Sequence, residues 1–459
     1  MESHLAANTQ DSLIQGLSYS LPNAAEYILQ RTNVTYFPQG GNAYAPTGVR
    51  LIRFQLADNT QFLDPHSLRL MFTLTNNGAD PLQLPGPPMV LFQRCRILCN
   101  GVVVEDLNYS HRLYMMLYAL NPQRRNASNL LEWQWRNEEP PSADSVAGAD
   151  AVYSSIAANA SKRFMAELPF GLFKQPLYLM LKACPITIEL EILQEPSEGL
   201  WSPVALIAGA GGRPEVPAFA RSTNFTLSDV QIKADTCTVS QDLVERYNQH
   251  LLSGKPLPIP FSSFGTQMQA LTGQASFNVQ VARAFSRLKS VWFSFYRTPT
   301  SEAGNVNVGP TISSLGVANY FYYAPPGGDA TAPVALTTAN DTLQWQLLIG
   351  SKTWPTYPVR GVAESAYRLR EAIDQAQHGD IDISIKDYTS KKFICAMDVE
   401  KAATGPGAGA SFTGVSTRGG EQLLLDIKNW PGLVPQRIYV TCHYDCILNL
   451  RAEGVEMLD

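Results

Sequence analysis

Apolar residues recur at every second position over much of the chain, the period of strands with one buried and one wet face. Leu68, Leu70, Phe72 and Leu74 share one face and leave Arg69, Met71 and Thr73 on the other. Ile186-Thr187-Ile188-Glu189-Leu190-Glu191-Ile192 repeats the alternation and places Thr187, Glu189 and Glu191 on a wet face. The same period marks Ile52, Phe54 and Leu56, then Phe277, Val279 and Val281, then Leu343, Trp345, Leu347 and Ile349, and finally Ile438 through Leu450. Asn100-Gly101, set between Ile97-Leu98 and Val102-Val103-Val104, predicts a two-residue hairpin.

Helical spacing is scarce. Leu243, Tyr247 and Leu251 recur every four residues before a stop at Gly254. Val362, Ala366, Leu369 and Ile373 form one face of a segment running to Gly379, with Glu364 and Arg368 as an i,i+4 pair. His111-Arg112-Leu113-Tyr114-Met115-Met116 is a third candidate, and Leu13, Leu17 and Leu21, closed by Pro22, a weaker fourth.

The order of these elements repeats. Ile97 to Gly101 leads into the helix around Arg112-Leu113, and Leu347 to Gly350 leads into the helix around Arg368-Leu369. The strand at Ile186 stands in a similar relation to the one at Ile438. The pattern predicts two copies of one β unit, each with an inserted helix, joined near Cys237 to Pro256. Long Gly-, Ala-, Ser-, Pro- and Asn-rich loops are expected at 137–160, 195–222, 298–340 and 402–420.

Composition narrows the class. Only 16% of the 459 residues are charged, against roughly 25% in an ordinary domain, and the net charge is 35 − 40 = −5. With 32 Gly, 31 Pro and 10% aromatics, the chain is neither disordered nor a coiled coil, and it is expected to bury surface against other chains. Met1-Glu2-Ser3-His4-Leu5 lacks the basic and apolar regions of a secretory signal, and no apolar run approaches the roughly 20 residues that span a bilayer. The seven cysteines, 95, 99, 184, 237, 395, 442 and 446, are expected as buried free thiols of a reducing compartment. Sequons at Asn33, Asn126, Asn159 and Asn224 are read as chance occurrences.

Chemical motifs are weak. Gly209-Ala210-Gly211-Gly212 and Gly405-Pro406-Gly407-Ala408-Gly409 lack the spacing of a phosphate cradle and a following helix. Cys442, His443 and Cys446 diverge on a strand, the thiols inward and His443 outward, whereas zinc needs convergent ligands. Cys95 and Cys99 would stand roughly 13 Å apart along a strand. The histidines 4, 66, 111, 250, 378 and 443 are scattered. Glu138-Glu139 and Glu189 with Glu191 are carboxylate pairs of the kind a glycosidase uses, but the reading as solvated faces is preferred. No catalytic, cofactor-binding or metal-binding residue is assigned, and no enzyme activity is expected. Residues 1–30 hold no Lys or Arg, against Glu2, Asp11 and Glu26, which argues against direct binding of nucleic acid; Arg124-Arg125 and Lys391-Lys392 are isolated pairs.

Glu167-Leu168-Pro169-Phe170-Gly171-Leu172-Phe173-Lys174-Gln175-Pro176-Leu177-Tyr178-Leu179, followed by Pro185-Ile186-Thr187-Ile188-Glu189-Leu190, resembles the end of the first jelly roll in double jelly-roll major capsid proteins of double-stranded DNA viruses, the Polinton, virophage and adenovirus-like lineage. Ile349-Gly350-Ser351-Lys352, Pro355 and Pro358, leading into Glu364 to Leu369, resembles the matching turn and helix of the second. Tyr444 to Leu450 with Gly454-Val455-Glu456 resembles the last strand and tail.

The resemblance implies an all-β fold of two tandem eight-stranded jelly-roll β-sandwiches with short inserted helices and long loops. It implies an N-terminal arm at 1–47 running along the inner surface to neighbours, a first jelly roll at 48–236, a linker helix at 237–256 and a second jelly roll at 257–459. The expected role is a structural one: homotrimers form pseudo-hexagonal capsomers that tile an icosahedral virion. The partners would be other copies of the chain and minor capsid or penton proteins. An underlying membrane stays open, and synthesis is expected in the host cytoplasm or nucleus. The competing reading is a β-sandwich carbohydrate-binding protein or glycoside hydrolase.

Overall fold

A computed structural model of the chain describes residues 28–58, 60–120, 155–200, 202–203, 222–297, 317–318, 321, 323–326, 341–377, 383, 385–390, 392–401, 413–419, 421–432 and 434–459. The long loops expected from sequence fall largely outside these residues. So do the candidate helix at Leu13 to Leu21, both Gly-rich stretches, Arg124, Arg125, Glu138, Glu139, Lys391, His4 and His378.

The first half contains strands β1 (Ile28–Tyr36), β2 (Leu51–Leu56), β3 (Gln61–Leu63), β4 (Arg69–Asn76), β5 (Phe92–Cys99), β6 (Val102–Asn108), β7 (Ser161–Glu167), β8 (Leu179–Met180), β9 (Ile186–Ile192) and β10 (Phe225–Val239). Helix α1 (Ser110–Leu120) follows β6, and α2 (Gln241–Leu252) follows β10. The second half contains β11 (Leu257–Ala270), β12 (Phe277–Val281), β13 (Leu288–Tyr296), β14 (Gln344–Ile349), β15 (Lys352–Arg360), β16 (Ile394–Asp398), β17 (Leu423–Lys428), β18 (Arg437–Arg451) and β19 (Gly454–Leu458). Its helices are α3 (Gly361–Gln377), after β15, and α4 (Ile385–Ser390).

Sheet order exposes the duplication. One sheet of the first half runs β2-β9-β5-β6, and one of the second runs β12-β17-β14-β15. The facing sheets run β7-β4-β10, with β1 on the free side of β10, and β16-β13-β18-β11. Each half is thus an antiparallel sandwich of eight corresponding strands, β1, β2, β4, β5, β6, β7, β9 and β10 in the first and β11 to β18 in the second. A helix follows the β5–β6 hairpin and its counterpart β14–β15.

This order corrects two expectations. Residues 28–44, assigned by sequence to an arm, are part of the first sandwich: β1 pairs with β10 along its whole length, Ile28 opposite Val239 and Tyr36 opposite Ile232. Pro38–Gln39 and Ala43–Tyr44 add short pairings to β2 and β10. The polar run Gln30-Arg31-Thr32-Asn33 breaks the alternation in β1 and hid it, because an edge strand needs little apolar surface. Second, β9 at Ile186 corresponds to β17, not to the strand at Ile438; the latter, in β18, corresponds to β10. Alternation marks a half-buried strand but does not say which sheet it joins.

The expected hairpin tips are present. Cys99 pairs with Val102 across Asn100-Gly101, both with positive φ, and Ile349 pairs with Lys352 across Gly350. The alternate residues of β4 are buried as expected. In the first core Phe72 meets Phe92 edge-on at 6.0 Å, and in the second Phe293 meets Trp345 at 4.9 Å. Trp345 Nε1 donates to Ser365 Oγ at 2.9 Å, and that hydroxyl donates to the Gly361 carbonyl oxygen at 2.7 Å, tying α3 to its sandwich. Every residue of α1 is buried, including His111 and Arg112.

Candidate functional site: the seam between the sandwiches

The two sandwiches meet along β6, α1 and the turn Gly171–Phe173 on one side and β11, Tyr296, Phe321 and Tyr439 on the other. Glu105 lies on β6 and is 1% exposed. Its carboxylate accepts the Leu172 N–H at 2.7 Å, the Gly171 N–H at 3.0 Å, and the hydroxyl of Ser263, on β11, at 2.7 Å. One side chain therefore ties a turn of the first sandwich to a strand of the second. Burial pushes the Glu105 carboxyl above its ordinary range, and the Leu172 amide, the Ser263 hydroxyl and the Gly171 amide pull it back in part. Gly171 is required by this approach, since a Cβ there would stand 1.8 Å from the Ser262 carbonyl oxygen.

Further along, the buried Arg112 guanidinium lies 4.6 Å from the Tyr296 ring centre, 5.1 Å from Phe321 and 5.2 Å from Tyr439. It belongs to the first sandwich, and all three rings come from the second half of the chain. Glu198 holds His111 Nε2 at 3.5 Å and accepts from Arg437 across the seam at 3.1 Å. Burial lowers the His111 pKa to about 4 despite its contact with Glu198. Glu198 is held at about 2: burial raises it, but His111, Arg112 and Arg437 outweigh that. Tyr109 meets Tyr439 edge-on at 5.5 Å, and Ser202–Pro203 pairs with Val317–Ala318 as a small sheet joining the halves.

On the second side, Lys289 Nζ stands 3.5 Å from Glu400 and 3.6 Å from Asp445, which also accepts from Ser262 Oγ at 2.7 Å. His443 is buried and stacked on Phe264 at 4.6 Å. Burial, with Lys289 and Lys174 nearby, lowers its pKa to about 3. The outward-pointing residue expected from sequence is thus enclosed, because β18 is covered on both faces.

The outer face of the β2-β9-β5-β6 sheet carries a different array. Arg53 Nε donates to Glu189 at 2.9 Å, Arg96 stands 3.3 Å from the same carboxylate, and Arg94 clamps Asp106 at 2.8 and 2.6 Å. Glu191 lies 3.2 Å from Arg50. Glu189 corrects the expectation of a wet face, since flanking arginines cover it and leave its side chain 8% exposed. Glu189 and Glu191 sit on one strand, each held by arginine; they do not oppose one another across a cleft, as paired glycosidase carboxylates would. A pocket of about 180 Å³ beside His66, Arg69, Glu167 and Lys174 is smaller than the roughly 300 Å³ at which ligand sites begin.

All seven cysteines are buried and free, as expected. Burial pushes Cys95 and Cys442 up to about 12, so neither is a thiolate at neutral pH. Among the described residues no cluster of His, Cys, Asp and Glu could hold a metal, and no helix is long and apolar enough to cross a membrane. Sequence reasoning missed Glu105, Glu198 and the seam role of Arg112. The signal for Arg112 was a charged residue in the first turn of a helix whose remaining residues, 113–120, are apolar or aromatic.

No family model and no curated protein matches the sequence. Solved structures do match, over nearly the whole chain. The PBCV-1 VP54 crystal structure, fitted into a reconstruction of the virophage Sputnik, is 11% identical, with 96% of this chain and 98% of that chain covered and a TM-score of 0.59. The Sputnik virophage structure matches at 9% identity, 96% and 90% coverage and a TM-score of 0.56. The Faustovirus major capsid protein matches at 10%, 95% and 93%, and 0.51. The shared property is the fold: this chain is an all-β double jelly roll.

Proposed function

We propose that this double jelly-roll chain is a major capsid protein, which trimerises into pseudo-hexagonal capsomers that tile an icosahedral virion shell. The observation that carries the reading is the likeness, over 96% of the chain, to PBCV-1 VP54 and the Sputnik virophage structure. Two sandwiches of the same strand order, locked side by side, offer two similar outer profiles per chain, so three chains present six around one axis. Rigidity suits such a role, and the Glu105 and Arg112 contacts fix the angle between the profiles. Assembly would remove apolar surface from water at roughly 25 cal/mol per Å², and the low share of charged residues keeps the desolvation cost small.

The partners are then other copies of the chain and minor capsid or penton proteins. The site of action is the virion, and the role is structural, not enzymatic. Residues 1–27 serve as an arm, and α2 links the two sandwiches. Light scattering after size-exclusion chromatography is expected to report a trimer of about 150 kDa, three times 50.4 kDa, or a larger shell. Negative-stain microscopy is expected to show pseudo-hexagonal capsomers or icosahedral particles. A stable monomer that binds or hydrolyses glycans would sink this reading in favour of the carbohydrate-active one.

A further inference from the structure

The linker helix α2 is amphipathic, yet its apolar side is poorly covered. Leu243, Val244 and Tyr247 are only half-buried, Leu251 is buried, and Leu252 is exposed. Tyr247 reaches the sandwich at Phe62, with ring centres 6.2 Å apart. Phe62 is paired with Cys237 near the end of β10, and Tyr178 lies against that same cysteine. Ile28 pairs with Val239, with Ser240 alone between that residue and α2. The end of β10 is thus ringed by exposed apolar side chains: Ile28, Leu29 at 66%, Leu177 and Tyr178.

Residues 1–27 enter the fold at this point, because Ile28 begins β1 beside the start of α2. Within them Leu13, Leu17 and Leu21 recur at helical spacing, with Ile14 beside the same face, Asp11 and Ser12 ahead as N-caps, and Pro22 behind as a stop. So short a helix does not persist alone in water, and Gly16 costs it about 1 kcal/mol more. It needs an apolar surface to order on. We propose that residues 13–21 of the same chain dock as an amphipathic helix on the apolar surface formed by α2, Leu29 and Tyr178.

The dimensions allow it. Residues 22–27 span up to about 20 Å when extended. A helix over 13–21 is about 13 Å long, and α2, with 12 residues, is about 18 Å. Tethering at Ile28 places the segment at an effective concentration of the order of millimolar, which favours the same chain over a second copy. The family resemblance sends the arm to neighbours, whereas this geometry holds its middle on its own linker helix. The inference does not depend on the assembly role.

The test is a photo-crosslink in the full-length chain, with a benzophenone side chain in place of Leu17. The expected product joins this position to a peptide within 239–252 or 177–178 and migrates as a single chain on a denaturing gel. A crosslink to that surface that migrates at twice the chain mass would assign the occupant to a second copy and overturn the proposal, as would crosslinks spread over unrelated peptides. Hydrogen exchange supplies the second reading. Leu13→Asp with Leu17→Asp is expected to speed amide exchange in 243–251 about tenfold, with peptides of β18 unchanged as a folding control. Gln15→Asp with Tyr19→Asp, opposite the apolar face, is expected to leave it unchanged. Equal exchange in α2 for the full chain and both variants would overturn the docking.

Discussion

The outer charged face of the β2-β9-β5-β6 sheet and the seam between the sandwiches use the same residue types to different effect. On the outer face five charges, Arg53, Glu189, Arg96, Asp106 and Arg94, lie across neighbouring strands, and most keep a quarter or more of their side-chain surface in water. Solvent screens such pairs, and each carboxylate has more than one cation in reach, so losing one arginine leaves the others in place. At the seam Glu105 is enclosed, and its acceptors are each matched by a particular donor. Charge therefore tunes the outer face, while at the seam it specifies how the two sandwiches sit.

The contrast can be broken most severely at Glu105. Glu105→Ala orphans two buried amides and the Ser263 hydroxyl, and is expected to cost about 3–5 kcal/mol in chemical denaturation. Glu105→Gln, which keeps one acceptor oxygen, should cost less; equal losses would mean that the three hydrogen bonds are not what holds the seam. Gly171→Ala is expected next, at about 2–3 kcal/mol, because the new methyl group meets the backbone of Ser262 and not a yielding side chain.

Acid sharpens the comparison. His443 has a folded pKa of about 3 against an ordinary 6.5, so between these values the unfolded chain binds the proton and the folded chain does not. The stability this group contributes is complete above pH 6.5 and is lost as pH falls towards 3. His111, at about 4, acts in the same direction, and Glu198, at about 2, adds loss below its ordinary 4.5. Unfolding midpoints measured from pH 7 to 4 should fall, and His443→Gln should reduce the stability lost over that range by about 3 kcal/mol; an unchanged loss would show that His443 is not enclosed. The smallest effect is expected at the outer face, where Arg53→Ala should cost less than about 1 kcal/mol and the cost should shrink further in high salt.

Much of the fold was legible because its signals are local. The alternation in β4, the Asn100-Gly101 turn and the four-residue spacing of α2 and α3 need only neighbours in sequence to be read. β1 escaped because an edge strand can be polar, and β9 was matched to the wrong partner because a period of two carries no sheet address. The stretch from Glu167 to Leu179 was singled out by its resemblance, but the reason Gly171 stands there came from a strand some ninety positions further along the chain.

The sequence by itself determined an all-β chain of two repeated units, low in charge and without a recognisable catalytic motif, because strand period, turn chemistry and composition follow from residues close together. Tertiary structure alone decided that Glu105 meets Ser263, that Arg112 is enclosed by rings from the other half, and that His443 is buried and not outward. Each of these depends on which faces two separately folded sandwiches present to each other. Burial, which sets the worth of a charge, is a property of that contact and not of any stretch of sequence.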